Sequence, residues 1–104
     1  MPEGFTKVLV KSEVPEGTLK LAQLGGKRVV VANVGGNFFA VGEACTHVGG
    51  PLSRGRLSGF VITCPWHGSR FDVRTGAVVG GPASRPEPSY EVRVDGNDIL
   101  LKEK

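Results

Sequence analysis

The stretch CTHVGGPLSRGRLSGFVITCPWH, residues 45–67, contains both cysteines and both histidines of this chain of 104 residues. They form two matching pairs, Cys45-x-His47 and Cys64-x-x-His67. Thiolate sulfur and imidazole nitrogen are the ligands that proteins offer to zinc and to iron–sulfur centres. The placement of all four groups in one stretch therefore predicts a metal centre held by two loops.

Two kinds of metal centre suit two thiolates and two imidazoles. One is a single tetrahedral zinc ion, and the other is a [2Fe–2S] cluster with the thiolates on one iron and the imidazoles on the other. Zinc sites more often pair Cys with Cys and His with His. Here each loop offers one Cys and one His, and this mixed pairing favours the cluster, with zinc as the alternative.

The residues around these pairs resemble the signature of the Rieske iron–sulfur family. The CTH motif is separated by 16 residues from CPWHGSRFD, in the order of the family's C-x-H and C-x-x-H motifs. The segment RTGAVVGGPA, residues 74–83, is similar to the one that follows the second ligand loop in Rieske-type ferredoxins of dioxygenase systems. The flanking β segments also fit the supporting sheets of that family.

The resemblance implies a role for each of the four ligands. Cys45 and Cys64 would bind the inner iron of one [2Fe–2S] cluster per chain, and His47 and His67 would bind the outer iron. Neutral imidazoles make the cluster less negative than four thiolates do, so they raise its reduction potential. Electrons would enter and leave through the outer histidines, near the surface.

A second group of residues is expected to surround the cluster without binding iron: Gly50, Gly68, Ser69, Phe71 and Pro82. The glycines either let backbone N–H groups approach sulfide closely or serve only the turns of the two loops. The serine hydroxyl is a candidate donor to cluster sulfur, and the phenylalanine is expected in the core beneath the cluster. The proline falls where the family has the loop that covers the cluster.

The resemblance also indicates the branch of the family. The high-potential branch has an extra cysteine in each ligand loop, joined as a disulfide, and a tyrosine that donates a hydrogen bond to the cluster. Here Gly50 and Trp66 occupy the cysteine positions, and Phe71 occupies the tyrosine position. Because donors near the cluster stabilise its reduced form, we expect a potential near the low end of the family range of about −150 to +300 mV.

The rest of the chain predicts an all-β protein. Runs rich in β-branched and aromatic residues, separated by Gly, Asn and Asp turns, predict strands at 5–10, 27–34, 37–41, 59–64, 70–73, 77–80, 90–94 and 98–102. Phe5, Val8 and Val10 are the candidates for burial in the first strand. No window of helical length shows a period of 3.6 residues, and GTLKLAQLGGK is left open between one turn and a short strand. We expect an antiparallel sandwich or barrel of stacked sheets, one domain over 1–104, with a small cluster-binding subdomain at about 43–83.

Positive charge is concentrated around the two ligand loops. Residues 48–85 contain five arginines and a single acid, Asp72: Arg54, Arg56, Arg70, Arg74 and Arg85. The patch is either an ordinary solvated surface or a surface that steers an acidic partner. Under the second interpretation Arg54, Arg56 and Arg70 contact a redox partner. Trp66 is either a packing residue of the second ligand loop or an exposed part of the same contact. Stacking aromatics are not interleaved with the basic residues, which argues against nucleic acid.

The resemblance implies an electron carrier and not an enzyme. It would accept one electron from a flavin-dependent reductase and pass it to a Rieske-type oxygenase or similar redox enzyme through transient docking. The alternatives are a small subunit of a nitrite reductase-like complex and a zinc-stabilised β module that binds another protein. An oxygenase site of two histidines and a carboxylate is excluded for this chain alone, because both histidines are used. No long apolar run or secretory signal is present, so we expect a cytoplasmic protein without a membrane segment.

Overall fold

The computed structural model describes residues 4–44, 49–66, 68–81 and 83–103. Cys45, His47, His67 and Pro82 lie outside these ranges. The described part contains ten strands: β1 Thr6–Val10, β2 Leu19–Leu24, β3 Lys27–Val34, β4 Asn37–Gly42, β5 Arg56–Ser58, β6 Val61–Thr63, β7 Arg70–Asp72, β8 Val78–Gly80, β9 Ser89–Asp95 and β10 Asp98–Glu103. Two 3₁₀ turns, Lys11–Glu13 and Leu52–Arg54, are its helical elements. Neither is long and apolar enough to cross a membrane.

Six strands form the larger sheet, in the antiparallel order β1-β10-β9-β4-β3-β2. The turn between β3 and β4 has two residues, Gly35 and Gly36, with φ of 62° and 90°. Positive φ at both positions is the requirement of the tight hairpin turn whose twist matches that of its strands, and glycine meets it without steric cost. The edge strands β1 and β2 also contact each other, so the sheet curls towards a closed barrel.

The smaller sheet is an antiparallel meander in the order β5-β6-β7-β8. Its β6–β7 connection, residues 64–69, is the second predicted ligand loop. The first predicted ligand loop follows β4 of the larger sheet, where Ala44 and Pro51 form an isolated antiparallel bridge. Both predicted loops therefore lie at the junction of the two sheets.

Strand β3 joins the two hydrophobic cores of the molecule. Val29 and Val31 point into the curl of the larger sheet, while Val30 and Ala32 belong to the core between the two sheets. Side chains alternate between the faces of a strand, and a strand buried on both faces reads as a continuous apolar run. The core between the sheets includes Cys64, which ties the predicted metal centre directly to the folded interior.

The predicted all-β class is confirmed, and the local differences have physical reasons. In β1 the buried side chain is Leu9, whereas Phe5, Val8 and Val10 are half-buried, because the pairing with β10 shifts register between Lys7 and Leu9. The open segment GTLKLAQLGGK forms β2. The predicted strand 59–64 is shortened to β6, Val61–Thr63, because residues 59 and 60 make a turn that connects β6 to the unpredicted strand β5.

Candidate metal centre

Cys64 is the predicted iron ligand that lies within the described residues. Strand β6 ends at Thr63 and places Cys64 in the core, where its exposure is 1%. Its backbone N–H donates to the carbonyl of Ser69 at 2.7 Å, which closes the β6–β7 connection into a tight loop. The backbone N–H of Trp66 lies 3.4 Å from Cys64 Sγ and donates to it. The sulfur is thus buried, held by its own loop and faced by an amide donor, as a thiolate ligand requires.

The end of the first predicted ligand loop lies directly against this sulfur. A Cβ atom added at Gly50 would be 2.7 Å from Cys64 Sγ and 3.2 Å from both Cβ and Cδ2 of Trp66. Gly50 is buried, so its bare Cα packs between the thiol and the indole ring. The positions at which the high-potential branch has its disulfide are therefore in contact here through glycine and tryptophan.

The sequence predicts that Trp66 either packs within the second ligand loop or contacts a redox partner, and its position in the structure is compatible with both. Its ring packs on Gly50, and the residue is nevertheless 50% exposed. A half-exposed indole that packs on Gly50 next to Cys64 offers apolar surface on the outside of the molecule. Packing is thus observed, and contact with a partner stays a prediction.

Ser69 lies on the other side of the second ligand loop. It is fully buried, and its Oγ accepts a hydrogen bond of 3.1 Å from the backbone N–H of Ala83. A hydroxyl that accepts one bond still has its own hydrogen to donate. Gly68 has φ of +78°, which favours glycine at this bend. The placement agrees with the expected donor role of Ser69 towards cluster sulfur, which stays a prediction.

The segment on both sides of Pro82 packs onto the second ligand loop. Gly81 has φ of +83°, and a Cβ there would be 2.5 Å from the Cα of Ser69 and 2.7 Å from the carbonyl oxygen of Gly68. With Ala83 bonded to Ser69, both neighbours of Pro82 touch that loop. Gly81 is not among the residues predicted from the sequence. Its signal is the Gly-Gly-Pro sequence, and the backbone approaches so closely here that a side chain has no room.

Phe71 is fully buried in β7, opposite Ile62 of β6, as expected for a residue of the core. Its phenyl ring has no hydrogen to donate. Within the described site, the position at which the high-potential branch has a tyrosine therefore contributes packing alone.

The predicted basic patch is smaller than the sequence suggested. Arg74 donates to both carboxylate oxygens of Asp72, at 3.0 and 2.7 Å, and its guanidinium lies 4.1 Å from the centre of the Phe60 ring. Through these hydrogen bonds Arg74 lowers the pKa of Asp72. The guanidinium of Arg70 lies across Gly80, where a Cβ would be 2.7 Å from Nε. The carboxylate of Asp72 therefore neutralises the charge of Arg74. The side chain of Arg70 extends from β7 over Gly80 of β8.

Arg54 and Arg56 remain beside the predicted centre. Both are exposed and line a hollow of about 380 Å³ whose wall includes Thr63, Cys64 and Pro65. All four predicted docking residues thus border the second ligand loop, because Arg70 directly follows it and pairs with Thr63 of β6. This arrangement puts positive charge next to the sulfur of the predicted ligand Cys64.

These residues fit a [2Fe–2S] cluster. The thiol is buried and faced by an amide donor, a buried serine lies in the same loop, and Gly50 leaves no side chain over the sulfur. Backbone donors and the absence of side-chain bulk are what an iron–sulfur centre requires around its sulfurs. The donor set and its setting thus agree with the ligand assignment that the spacing predicts.

Comparison with known proteins decides the family. The profile of the Rieske [2Fe-2S] domain matches residues 4–91. The chain belongs to the Rieske [2Fe-2S] domain family. It is 39% identical over 98 residues to the biphenyl dioxygenase ferredoxin subunit of Pseudomonas sp. (strain KKS102), covering 93% of this chain and 90% of that one. The cofactor is accordingly a [2Fe–2S] cluster.

Solved structures give the same result. The ferredoxin of carbazole 1,9a-dioxygenase from Nocardioides aromaticivorans IC177 superposes with a TM-score of 0.93 at 32% identity, covering 98% of this chain and all of the other. A chain in the complex of reduced oxygenase and oxidised ferredoxin of carbazole 1,9a-dioxygenase has a TM-score of 0.89 at 33% identity, with coverage of 99% and 98%. The superposition with the ferredoxin of carbazole 1,9a-dioxygenase therefore extends over nearly the whole of this chain.

Proposed function

We propose that this Rieske protein is the ferredoxin component of a multicomponent oxygenase system. It carries one electron at a time to a terminal oxygenase and turns over no substrate itself. The observation that carries the proposal is agreement over the full length, in sequence and in structure, with ferredoxin components of dioxygenase systems. One solved relative is part of a complex with an oxygenase, which supports an oxygenase as acceptor.

The cluster supplies a one-electron site, and the chain's own residues hold and shield it. We assign Cys45 and Cys64 to the inner iron and His47 and His67 to the outer iron, as the resemblance of both motifs to the Rieske signature implies. Trp66 N–H donates to Cys64 Sγ, and the indole covers Gly50. The second ligand loop is packed on one side by the core and on the other by the segment around Gly81. A rigid environment of this kind keeps reorganisation small when charge is added.

We place the potential at the low end of the family range. Phe71 has no hydroxyl, and the contact between Gly50 and Trp66 replaces a disulfide. Ser69 is the remaining side-chain donor, since its Oγ hydrogen is not used in the bond from Ala83. Fewer donors to the reduced cluster mean a lower potential.

We further propose a flavin-dependent reductase as donor, a cytoplasmic location and a one-domain organisation over 1–104. No observation favours a subunit of a nitrite reductase-like complex over this assignment. The family match favours the cluster over the zinc-stabilised module.

The docking surface that we propose is Trp66 with Arg54 and Arg56. The two arginines and the half-exposed indole border the second ligand loop, which brings a docked partner close to the cluster. Arg70 is a weaker candidate because it lies across Gly80. Charge around a small contact speeds encounter without making the complex long-lived.

The experiment is anaerobic stopped-flow transfer from the dithionite-reduced protein to an oxidised Rieske oxygenase at several salt concentrations. We expect oxidation of the ferredoxin with one electron per chain and a rate that falls as salt rises. Arg56→Gln should slow transfer and flatten the salt dependence. Lys20→Gln, which removes one charge from the exposed side of β2, is the matched control and should change neither.

Two results would contradict the proposal. Absence of transfer to any Rieske oxygenase would remove the assigned function. An electron-transfer rate that does not change with salt, or an equal effect of Arg56→Gln and Lys20→Gln, would contradict the proposed docking surface. Neither result would contradict the electron-carrier assignment.

A further inference from the structure

A buried carboxylate lies at the end of β4, immediately before the first ligand loop. Glu43 is 6% exposed. Its Oε1 accepts from the backbone N–H of Ser53 and its Oε2 from the hydroxyl of Ser53, both at 2.7 Å. A buried charge is tolerated only where hydrogen bonds satisfy it, and bonds to an ionised acceptor are stronger than neutral ones. We call this pair the Glu43–Ser53 clamp.

The backbone of Glu43 strengthens the same junction. Its carbonyl accepts from Leu52 N–H at 2.9 Å, and its N–H donates to the carbonyl of Arg28 at 3.2 Å. The residue is thereby fixed to β3 on one side and to the 3₁₀ turn Leu52–Arg54 on the other. Three hydrogen bonds thus join the chain before the first ligand loop to the chain after it, and the fourth fixes Glu43 to β3.

The clamp is connected to the metal centre through described residues. One residue inside the clamp, Ala44 and Pro51 form an antiparallel bridge. Next to that bridge is Gly50, whose Cα packs on Cys64 Sγ and Trp66. A change in the separation of Glu43 and Ser53 therefore displaces Gly50 relative to the sulfur. Along the chain, Cys45 and His47 lie between the two ends that the clamp holds.

We propose that Glu43 is a positioning residue of the cluster site. Its clamp on Ser53 holds the ends of the first ligand loop together, so that Gly50 stays seated on Cys64 and the two ligand loops keep one separation. The role rests on the [2Fe–2S] site assigned above but not on the identity of the electron partners. This role differs from a general contribution to fold stability, because the clamp sets the position of Gly50 relative to Cys64 at the junction of the two ligand loops.

Substitutions at the clamp separate positioning from charge. Glu43→Ala removes both bonds, and Ser53→Ala removes the bond to the hydroxyl alone. Glu43→Gln keeps both, since the amide oxygen can accept from Ser53 N–H and the amide nitrogen can donate to Ser53 Oγ. We therefore expect the stability of the cluster site to decrease from Glu43→Gln, which keeps both hydrogen bonds, through Ser53→Ala, which keeps one, to Glu43→Ala, which keeps neither.

Asn33→Ala is the matched control for general destabilisation. Asn33 is also a buried polar residue with two hydrogen bonds, from its Nδ2 to the carbonyl of Val14 and to its Oδ1 from Gly36 N–H. These bonds lie in the curl of the larger sheet, away from both ligand loops. The variant should lower the melting temperature without loosening the junction of the loops.

The measurement is the rate at which the purified, cluster-loaded proteins lose visible absorption to an excess of iron chelator. Replacing residues that support metal ligands typically costs about 10- to 100-fold in metal affinity, and we expect Glu43→Ala to speed the loss by about that factor. Ser53→Ala should fall between it and the parent protein, while Glu43→Gln and Asn33→Ala should remain near the parent rate. A second readout is hydrogen exchange at the Leu52 and Ser53 amides, which should quicken in Glu43→Ala and Ser53→Ala alone.

The results are decisive in either direction. Unchanged chelator loss and exchange in Ser53→Ala and Glu43→Ala would overturn the proposal, as would equally fast loss in Asn33→Ala. If Glu43→Ala does not fold, Ser53→Ala and Glu43→Gln decide the question. Failure of the proposed function would be seen in the parent protein instead, which would then bind no cluster or hold a cluster that reduces no oxygenase.

Discussion

Replacing Gly50 with alanine tests the contact that joins the two ligand loops. The added Cβ would lie 2.7 Å from Cys64 Sγ, whereas comfortable contacts between such atoms are about 3.5–4.0 Å. The sulfur or the loop must therefore move by roughly 1 Å. Cys64 cannot yield easily, because it belongs to the core between the sheets. Overpacking of this kind costs about 1–3 kcal/mol, which lowers the melting temperature by about 4–12 °C in a domain of this size.

The effect on the cluster should exceed the effect on the fold. Metal–ligand distances tolerate deviations of about 0.2 Å, so a shift several times larger removes Cys64 from its bonding position. We expect Gly50→Ala to be purified with much less iron and acid-labile sulfide per chain than the parent protein. Gly26→Ala is the control, because its Cβ has nothing within 4 Å and its φ is not positive.

The assay is iron and sulfide content, visible circular dichroism and thermal melting of both variants. Trp66 is the single tryptophan of the chain, so its fluorescence reports the displaced contact directly. Full cluster content and an unchanged melting temperature in Gly50→Ala would refute the packing argument.

Three further predictions concern the surroundings of the site. Ser69→Ala removes a buried acceptor and should cost about 1–3 kcal/mol in the free energy of unfolding; it should also lower the reduction potential, and an unshifted potential would rule out a bond to sulfide. Arg74 lowers the pKa of Asp72, so the carboxylate stabilises the fold above the pKa of an unfolded aspartate, about 3.9, and this is lost as pH falls through the lower folded pKa. Asp72→Asn should accordingly melt a few degrees below the parent at pH 7 and converge with it in acid, whereas a gap that persists at low pH would contradict this. Gly81→Ala and Gly17→Ala both place alanine at φ near +80°, but only the Cβ at position 81 would meet backbone atoms. Gly81→Ala should therefore lower the melting temperature more than Gly17→Ala does, and equal losses would contradict the close contact.

The sequence predicts what depends on local patterns. The run Val29–Ala32 and the Gly35-Gly36 turn indicate a hairpin by themselves, because strand period and turn geometry are properties of a few adjacent residues. The pairing of one Cys with one His in each loop is likewise a local pattern, and it predicts the ligand set. Cys64 lies where its motif predicts, at the end of a strand in the core.

The remaining features depend on pairings between distant segments. The segment β5 has no strand pattern of its own and exists through its pairing with β6. The burial of Leu9 follows from a register shift that only the partner strand β10 defines. Glu43 finds Ser53 ten residues away, across the first ligand loop. Such contacts depend on tertiary placement, which composition and periodicity do not contain.

A redox titration of the purified protein, followed by visible absorption and circular dichroism at several pH values, tests the assignment of a low-potential Rieske cluster most directly. We expect two irons and two sulfides per chain and a one-electron transition at about −150 mV, the low end of the family range. The potential should be flat near neutral pH and fall at high pH as ligand imidazoles lose protons. A transition well above 0 mV would contradict the low-potential assignment, and a colourless protein with one zinc would contradict the cluster itself.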